Sequence, residues 1–115
     1  MRASLTTILL LSLAAPVLAE PMECNVGPVA RHVGGTEWNV LSCSDGRSLV
    51  FVTAKGNPAM PFYFMVQRDE ESPKIAGEGN GSKKYSAAAY EEIKKMTTTE
   101  FDELVQATKA VSEQE

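Results

Sequence analysis

Two short apolar runs, residues 48–54 and 61–67, dominate the middle of the chain and are separated by the segment KGNPAM. Their β-branched and aromatic residues are typical of β-strands. The apolar residues are mostly consecutive, which indicates that both faces of these strands are apolar. We predict two adjacent antiparallel strands. One face is covered by C-terminal helices, and the other by loops, by the N-terminal hairpin or by a partner.

Two dipeptides predict tight turns on the N-terminal side of these runs. Gly34-Gly35 and Asp45-Gly46 each separate strand-like segments, and both are typical of two-residue hairpins. With Asp45-Gly46 as the turn, Val40 lies opposite Phe51, and a bulge near Gly27-Pro28 is expected. The second face of the sheet then carries Leu41, Val50, Val52, Tyr63 and Met65.

The C-terminal third of the chain has helical periodicity. A weak strand over residues 74–79 precedes a helix that we expect to begin near Ser86, and Thr97 with Glu100 has the spacing of a capping box. Apolar residues recur on one side of this second helix. The predicted fold is α+β, an antiparallel β-meander of four to five strands followed by two C-terminal α-helices packed on one face. A curled, barrel-like sheet is the alternative.

Residues 1–19 have the pattern of an export signal. Arg2 supplies a positive start, an apolar stretch follows, and small residues precede the expected cleavage site after Ala19. The apolar stretch is about half the ~20 residues that a membrane-spanning helix needs. We therefore expect no membrane anchor, a single small domain over residues 20–115, and a periplasmic or secreted location.

The two cysteines and the net charge narrow the functional classes. An oxidising compartment favours a disulfide between Cys24 and Cys43, worth about 3 kcal/mol by the chain-entropy model. The net charge is −4, and removal of residues 1–19, which contain Arg2, leaves ten basic against fifteen acidic residues, or −5. Because nucleic acids require a basic surface, they are not the expected partner.

No motif in the chain indicates catalysis. His32 is the one histidine, and the predicted register places it opposite Glu37 near a hairpin end, where a base and an orienting group are not in evidence. Acidic residues at 69–71 and 100–103 lack the alternating ligands and central glycine of a calcium loop. We expect neither an enzyme nor a bound metal or cofactor.

Two segments have the composition of a binding site. Apolar residues exceed what a small core needs around the stiff loop that leads into the second apolar run, and tyrosine and methionine are enriched at protein interfaces. The candidate residues here are Asn57, Met60, Phe62, Tyr63 and Met65. The second segment, Gly77–Lys84, combines glycines with Lys83 and Lys84 before a helix, an arrangement that could hold an anion. Asn80-Gly81-Ser82 is also a formal glycosylation sequon.

These patterns lead to two functional hypotheses. The first is an exported, non-enzymatic interaction module, such as an accessory or inhibitor-like protein, whose partner is another exported protein or a second copy of the chain. The alternative is a small-ligand or anion binder that uses Gly77–Lys84.

Overall fold

The computed structural model describes residues 21–69 and 72–114, and it consists of a five-stranded antiparallel sheet followed by two helices. The elements are β1 (Val26–Val33), β2 (Thr36–Ser42), β3 (Leu49–Thr53), β4 (Phe62–Gln67), β5 (Lys74–Gly79), α1 (Lys83–Lys94) and α2 (Thr98–Glu113). The predicted α+β fold is confirmed. The prediction of an export signal at residues 1–19 lies outside the described residues.

The strands follow one another in the sheet in chain order, β1-β2-β3-β4-β5. Since β1 and β5 are the two edges, the sheet is open rather than a closed barrel. The register predicted from the Asp45-Gly46 turn is confirmed, with Val40 opposite Phe51. The expected bulge is also present, because the β1–β2 register shifts between Val26 and Val29.

One face of the sheet, hereafter the inner face, forms the core with the two helices. Trp38 is fully buried at its centre, donates from Nε1 to the carbonyl of Val33 at 3.0 Å, and contacts the ring of Phe64. The helix α2 packs against β1 and β2, and α1 packs against β1. Each large apolar side chain buried in this way contributes roughly 1.5–3 kcal/mol. The buried members of the core are Val33, Trp38, Val40, Leu49, Phe51, Ala59, Phe64, Val66, Ala89, Ile93, Phe101, Leu104 and Val105.

The helix α1 begins three residues earlier than expected. Ser86 is buried in its first turn, where its Oγ donates to the carbonyl of Lys83, and the N-cap is Ser82. The prediction that the helix begins near Ser86 therefore places its start too late, and Ser86 is not the N-cap. The predicted start of α2 is confirmed, because Thr97 and Glu100 form a complete capping box.

A disulfide closes the open end of the N-terminal hairpin, and the turn of the hairpin packs against α1. The predicted disulfide between Cys24 and Cys43 is present. Gly34, in the β1–β2 turn, has a positive φ of 63° and lies so close to α1 that an added Cβ would overlap the backbone of Ala89. Its amide donates to Oε1 of Glu92 at 2.8 Å. A side chain at this position would separate the turn from α1.

Candidate functional site

The face of the sheet that points away from the helices is the candidate site, and we call it the outer face. Side chains alternate between faces along a strand, so the register assigns each outward residue to a row across the sheet. One row contains Asn39, Val52, Tyr63 and Glu78, and the next contains Leu41, Val50, Met65 and Ala76. The centre of both rows is apolar, and the two helices pack on the opposite face.

Tyr63 is the most exposed large hydrophobic side chain of the outer face. It is 43% exposed, and its hydroxyl donates to Oε1 of the neighbouring Glu78 at 3.2 Å. Leu41, Val50, Val52 and Met65 are each half-buried. An aromatic ring among aliphatic side chains, with polar groups at the margin, is the usual composition of a protein contact surface.

The loop before β4 separates into buried and exposed residues. Asn57 is 4% exposed; its Nδ2 donates to the carbonyl of Glu37 at 2.7 Å, and its Oδ1 accepts from the amide of Ala59 at 2.8 Å. Both ends of this amide therefore bind the chain's own backbone. Asn57 shapes the loop and presents no polar group to a partner. Met60 is 45% exposed at the end of the same loop.

Phe62 lies on the inner side of the sheet rather than with Tyr63. It is half-buried, meets the Trp38 ring edge-on at 6.4 Å between centroids, and lies 4.9 Å from the Phe64 ring. The structure thus divides the five apolar-segment candidates. Tyr63 and Met65 lie on the outer face, Met60 is exposed in the loop, and Phe62 and Asn57 contribute to the interior.

The glycine-rich segment is packed against the loop before β4. The amide of Asn80 donates to the carbonyl of Pro61 at 3.1 Å, and that of Ser82 donates to Pro58 at 3.0 Å. An added Cβ at Gly81 would overlap the carbonyl of Ala59. Two of the amides that an anion would use are therefore already bonded within the chain.

Lys83 and Lys84 are both exposed in the first turn of α1. The Nζ of Lys84 lies 5.6 Å from the centroid of the Tyr85 ring. These two cations lie at the end of the glycine-rich segment, as expected, but the amides of Asn80 and Ser82 within it donate to carbonyls of the loop before β4.

His32 is exposed and lies opposite Glu37, as the register predicted. No cluster of three or more His, Cys, Asp or Glu side chains within residues 21–69 and 72–114 is arranged to hold a metal ion. Over the same residues, neither helix has the length and apolar content needed to span a bilayer.

One polar network was not expected from the sequence. Asp45 accepts hydrogen bonds from the Arg47 and Ser48 amides at 2.9 and 2.8 Å and from the Ser48 hydroxyl at 2.6 Å. Partial burial acts to raise the pKa of Asp45, but these hydrogen bonds outweigh it, and the net pKa lies below the ordinary value. The Ser48 Oγ also accepts from the Arg68 amide at 3.1 Å, so the network ties the β2–β3 turn to the end of β4.

Sequence reasoning placed five residues on the outer face but missed the contribution of β5. Ala76 and Glu78 extend the two rows because β5 pairs with β4 from Lys74 to Gly79. The signal available in the sequence was the alternation along this strand, which puts Lys74, Ala76 and Glu78 on one face and Ile75 and Gly77 on the other.

Comparison of the chain with protein-family models, with curated proteins and with solved structures gave no match in any of the three.

Proposed function

We propose that this protein is an exported, non-enzymatic binding module that recognises another exported protein through its outer face. The observation that carries this proposal is the pair of apolar rows, with Tyr63 at their centre, on the side of the sheet opposite the helices. Exposed apolar surface of this kind is characteristic of protein contact sites. Met60, in the adjacent loop, adds a second exposed apolar side chain.

A protein partner fits the surface better than a charged polymer does. The outer face has an apolar centre, and its charged residues Glu37, Lys74 and Glu78 stand at its margins. The chain as a whole is acidic, with a net charge of −4. A nucleic acid or an anionic membrane would meet little basic surface here.

Export is supported by the disulfide and by the sequence pattern of residues 1–19. A bond between Cys24 and Cys43 is consistent with an oxidising compartment, such as the periplasm or the cell exterior. The non-enzymatic part of the proposal is supported by the position of His32, which lies at a hairpin end away from the apolar rows.

The test is site-specific cross-linking in the native compartment, followed by mass spectrometry. A photo-reactive phenylalanine analogue replaces Tyr63, which is exposed enough to accept it. We expect one heterologous adduct, and we expect Met60→Lys to reduce its yield. The matched control is Met22→Lys, since Met22 is also exposed, at 36%, but lies before β1.

The outcomes separate the possibilities. An adduct reduced by Met60→Lys but not by Met22→Lys supports recognition through this surface. An adduct that both variants retain would show that position 63 is merely close to a bystander, and the proposal would be abandoned. Circular dichroism of each variant shows whether the fold is intact, since loss of the fold would instead assign Met60 to the core.

A further inference from the structure

The strand β5 is an open edge whose backbone groups and side chains complement those of a second copy of itself. It ends the sheet, and its residues are exposed apart from the half-buried Ile75. Strand edges of this kind are templates for pairing with another strand, and proteins commonly protect them with lysine, proline or a bulge. β1, at the other edge, has Pro28 and a bulge. β5 has a lysine, but it also has a glutamate four residues later.

The contacts between β4 and β5 determine which backbone groups of β5 face β4 and which face the open edge. The amide of Asn80 donates to Pro61, its opposite neighbour in the β4–β5 register, at 3.1 Å. The amide of Phe62 instead turns toward β3, where it donates to Thr53 Oγ1 at 3.4 Å. Opposite residue pairs in antiparallel strands alternate between hydrogen-bonded and non-hydrogen-bonded pairs. The even-numbered residues of β5 therefore exchange backbone hydrogen bonds with β4. The amides and carbonyls of Ile75 and Gly77 therefore point to the open edge.

We infer that two copies of the chain pair along β5 in antiparallel orientation, with Ala76 opposite Ala76 of the second copy. In this register Ile75 of each copy exchanges backbone hydrogen bonds with Gly77 of the other. Lys74 of each copy then lies directly opposite Glu78 of the other on the outer face, in a non-bonded pair where side chains are closest. The two-fold axis through Ala76 therefore generates both Lys74–Glu78 pairs.

Other registers lack this complementarity. Centring the pair on Lys74 or on Glu78 would place like charges opposite each other, which is destabilising. Centring it on Gly77 would place Lys74 opposite Asn80 and Glu78 opposite Ala76. Only the register centred on Ala76 pairs both charges and also joins the edge-facing groups of Ile75 and Gly77.

The small side chain of Ala76 permits the close approach that the axis requires. Oε1 of Glu78 already accepts a hydrogen bond from the Tyr63 hydroxyl. The second oxygen of the same carboxylate is the acceptor for the ammonium group of Lys74 from the facing strand. The two outer faces would lie on the same side of a continuous ten-stranded sheet, because the two-fold axis is perpendicular to the sheet. The apolar rows of the two copies would then form one extended surface.

The first test is sedimentation equilibrium of the oxidised protein, as recovered from an exporting host, over a range of concentrations. We expect a monomer–dimer equilibrium whose dissociation constant rises at least about tenfold in Lys74→Glu and in Glu78→Lys. Each of these changes places like charges opposite each other at two positions of the dimer, which is destabilising. The double variant exchanges the partners and should recover dimerisation. Lys109→Glu, an exposed change on α2, controls for the altered net charge.

The second test is amide hydrogen exchange at several protein concentrations. The Ile75 and Gly77 amides should gain protection as the concentration rises, while the Ala76 amide, bonded to β4, should be protected throughout. A monomer at all concentrations up to about 1 mM, near the weak limit of specific association, would overturn the inference. So would a dimer that leaves Ile75 and Gly77 unprotected or that ignores the charge reversals.

The outcome is distinguishable from that of the proposed function. Met60→Lys should reduce heterologous capture and leave the dimer unchanged, because Met60 lies outside β5, whereas Lys74→Glu should weaken the dimer. If Ile75 and Gly77 become protected only after a different protein is added, the edge accepts a foreign strand, and the assignment to a second copy is wrong.

Discussion

The hydroxyl of Ser42 in β2 meets that of Thr108 in α2, with 2.7 Å between their oxygens, and both side chains are buried. Thr108 Oγ1 also lies 2.6 Å from the carbonyl of Val105 and donates to it. Since Thr108 has one hydroxyl hydrogen, Ser42 is the donor in the bond between the two hydroxyls. A polar chain thus joins the sheet to the second helix inside the core.

Thr108→Val should destabilise the fold more than Ser42→Ala. The valine keeps the shape but leaves the Ser42 hydroxyl buried without its acceptor, a cost of about 1–3 kcal/mol. Ser42→Ala leaves Thr108 bonded to Val105, so a loss nearer 1 kcal/mol is expected. Urea unfolding monitored by circular dichroism measures both. The double variant should lose less than the sum of the two, and strict additivity would show that the hydroxyls do not interact.

Loss of the disulfide should lower the free energy of unfolding by about 3 kcal/mol. Cys24 and Cys43 are 19 residues apart, and their bond fixes the segment before β1 beside the β2–β3 turn. The Cys24→Ser/Cys43→Ser double variant, compared with the oxidised protein by urea unfolding, gives the value. The reduced native protein is the matched control. Unchanged stability on reduction would mean that hydrogen bonds alone hold the segment before β1 in place. One of these is donated by the amide of Ser44 to the carbonyl of Glu23 at 2.6 Å.

Asp45 should make the stability of the turn depend on pH. Its pKa in the folded state lies below the ordinary value of 3.8, because the hydrogen bonds from Ser48 and Arg47 outweigh the effect of burial. A depressed carboxylate pKa adds stability above the unfolded-state pKa, and that stability is lost as the pH falls through the folded-state value. Asp45→Asn should therefore be less stable than the native protein at pH 7, and the difference should shrink below about pH 4.

Unfolding of the native protein and of Asp45→Asn at several pH values checks this behaviour. Glu103→Gln, which removes one exposed negative charge from α2, serves as the control for net charge. A stability difference between native protein and Asp45→Asn that stays constant from pH 7 to about pH 3 would contradict the assignment.

Much of the sheet could be predicted because its turns fix its register. Asp45-Gly46 determines the pairing of Val40 with Phe51, and alternation then assigns Leu41 and Val50 to the other face. The capping box at Thr97 and Glu100 was similarly readable, because its hydrogen bonds join residues three apart.

The features that were missed depend on contacts between distant segments. The start of α1 is set at Ser82, whose amide donates to the carbonyl of Pro58, and no local pattern near Ser86 reveals that bond. Asn57 resembles an exposed loop residue by type, but its side chain binds the carbonyl of Glu37. The start of α1 and the burial of Asn57 come from one packing relationship, in which the loop before β4 is enclosed by neighbouring segments.

Phosphate should leave the melting temperature of the protein unchanged. The amides of Asn80 and Ser82 donate to carbonyls of the loop before β4. The glycine-rich segment therefore has fewer backbone donors for an anion than its sequence suggests. Thermal unfolding with and without phosphate at about 10 mM, a concentration that would reveal a millimolar site, makes the measurement. The Lys83→Ala/Lys84→Ala variant is the control. A phosphate-dependent rise that this variant abolishes would restore the anion-binding hypothesis.

Asn57→Ala should destabilise the fold by about 1–3 kcal/mol, because it leaves the buried amide of Ala59 without its acceptor. It also removes one of the two donors to the carbonyl of Glu37, which still accepts from the amide of Ala54 at 3.2 Å. Asn57→Asp should cost more although it still accepts from Ala59, because it buries a negative charge against the carbonyl oxygen of Glu37, to which it has no hydrogen to donate. Urea unfolding gives both values, and Met60→Ala, at an exposed position in the same loop, is the matched control. Stable Asn57 variants that lose only partner binding would return Asn57 to the recognition surface. Loss of stability, with Met60→Ala unaffected, would assign it to the support of that loop.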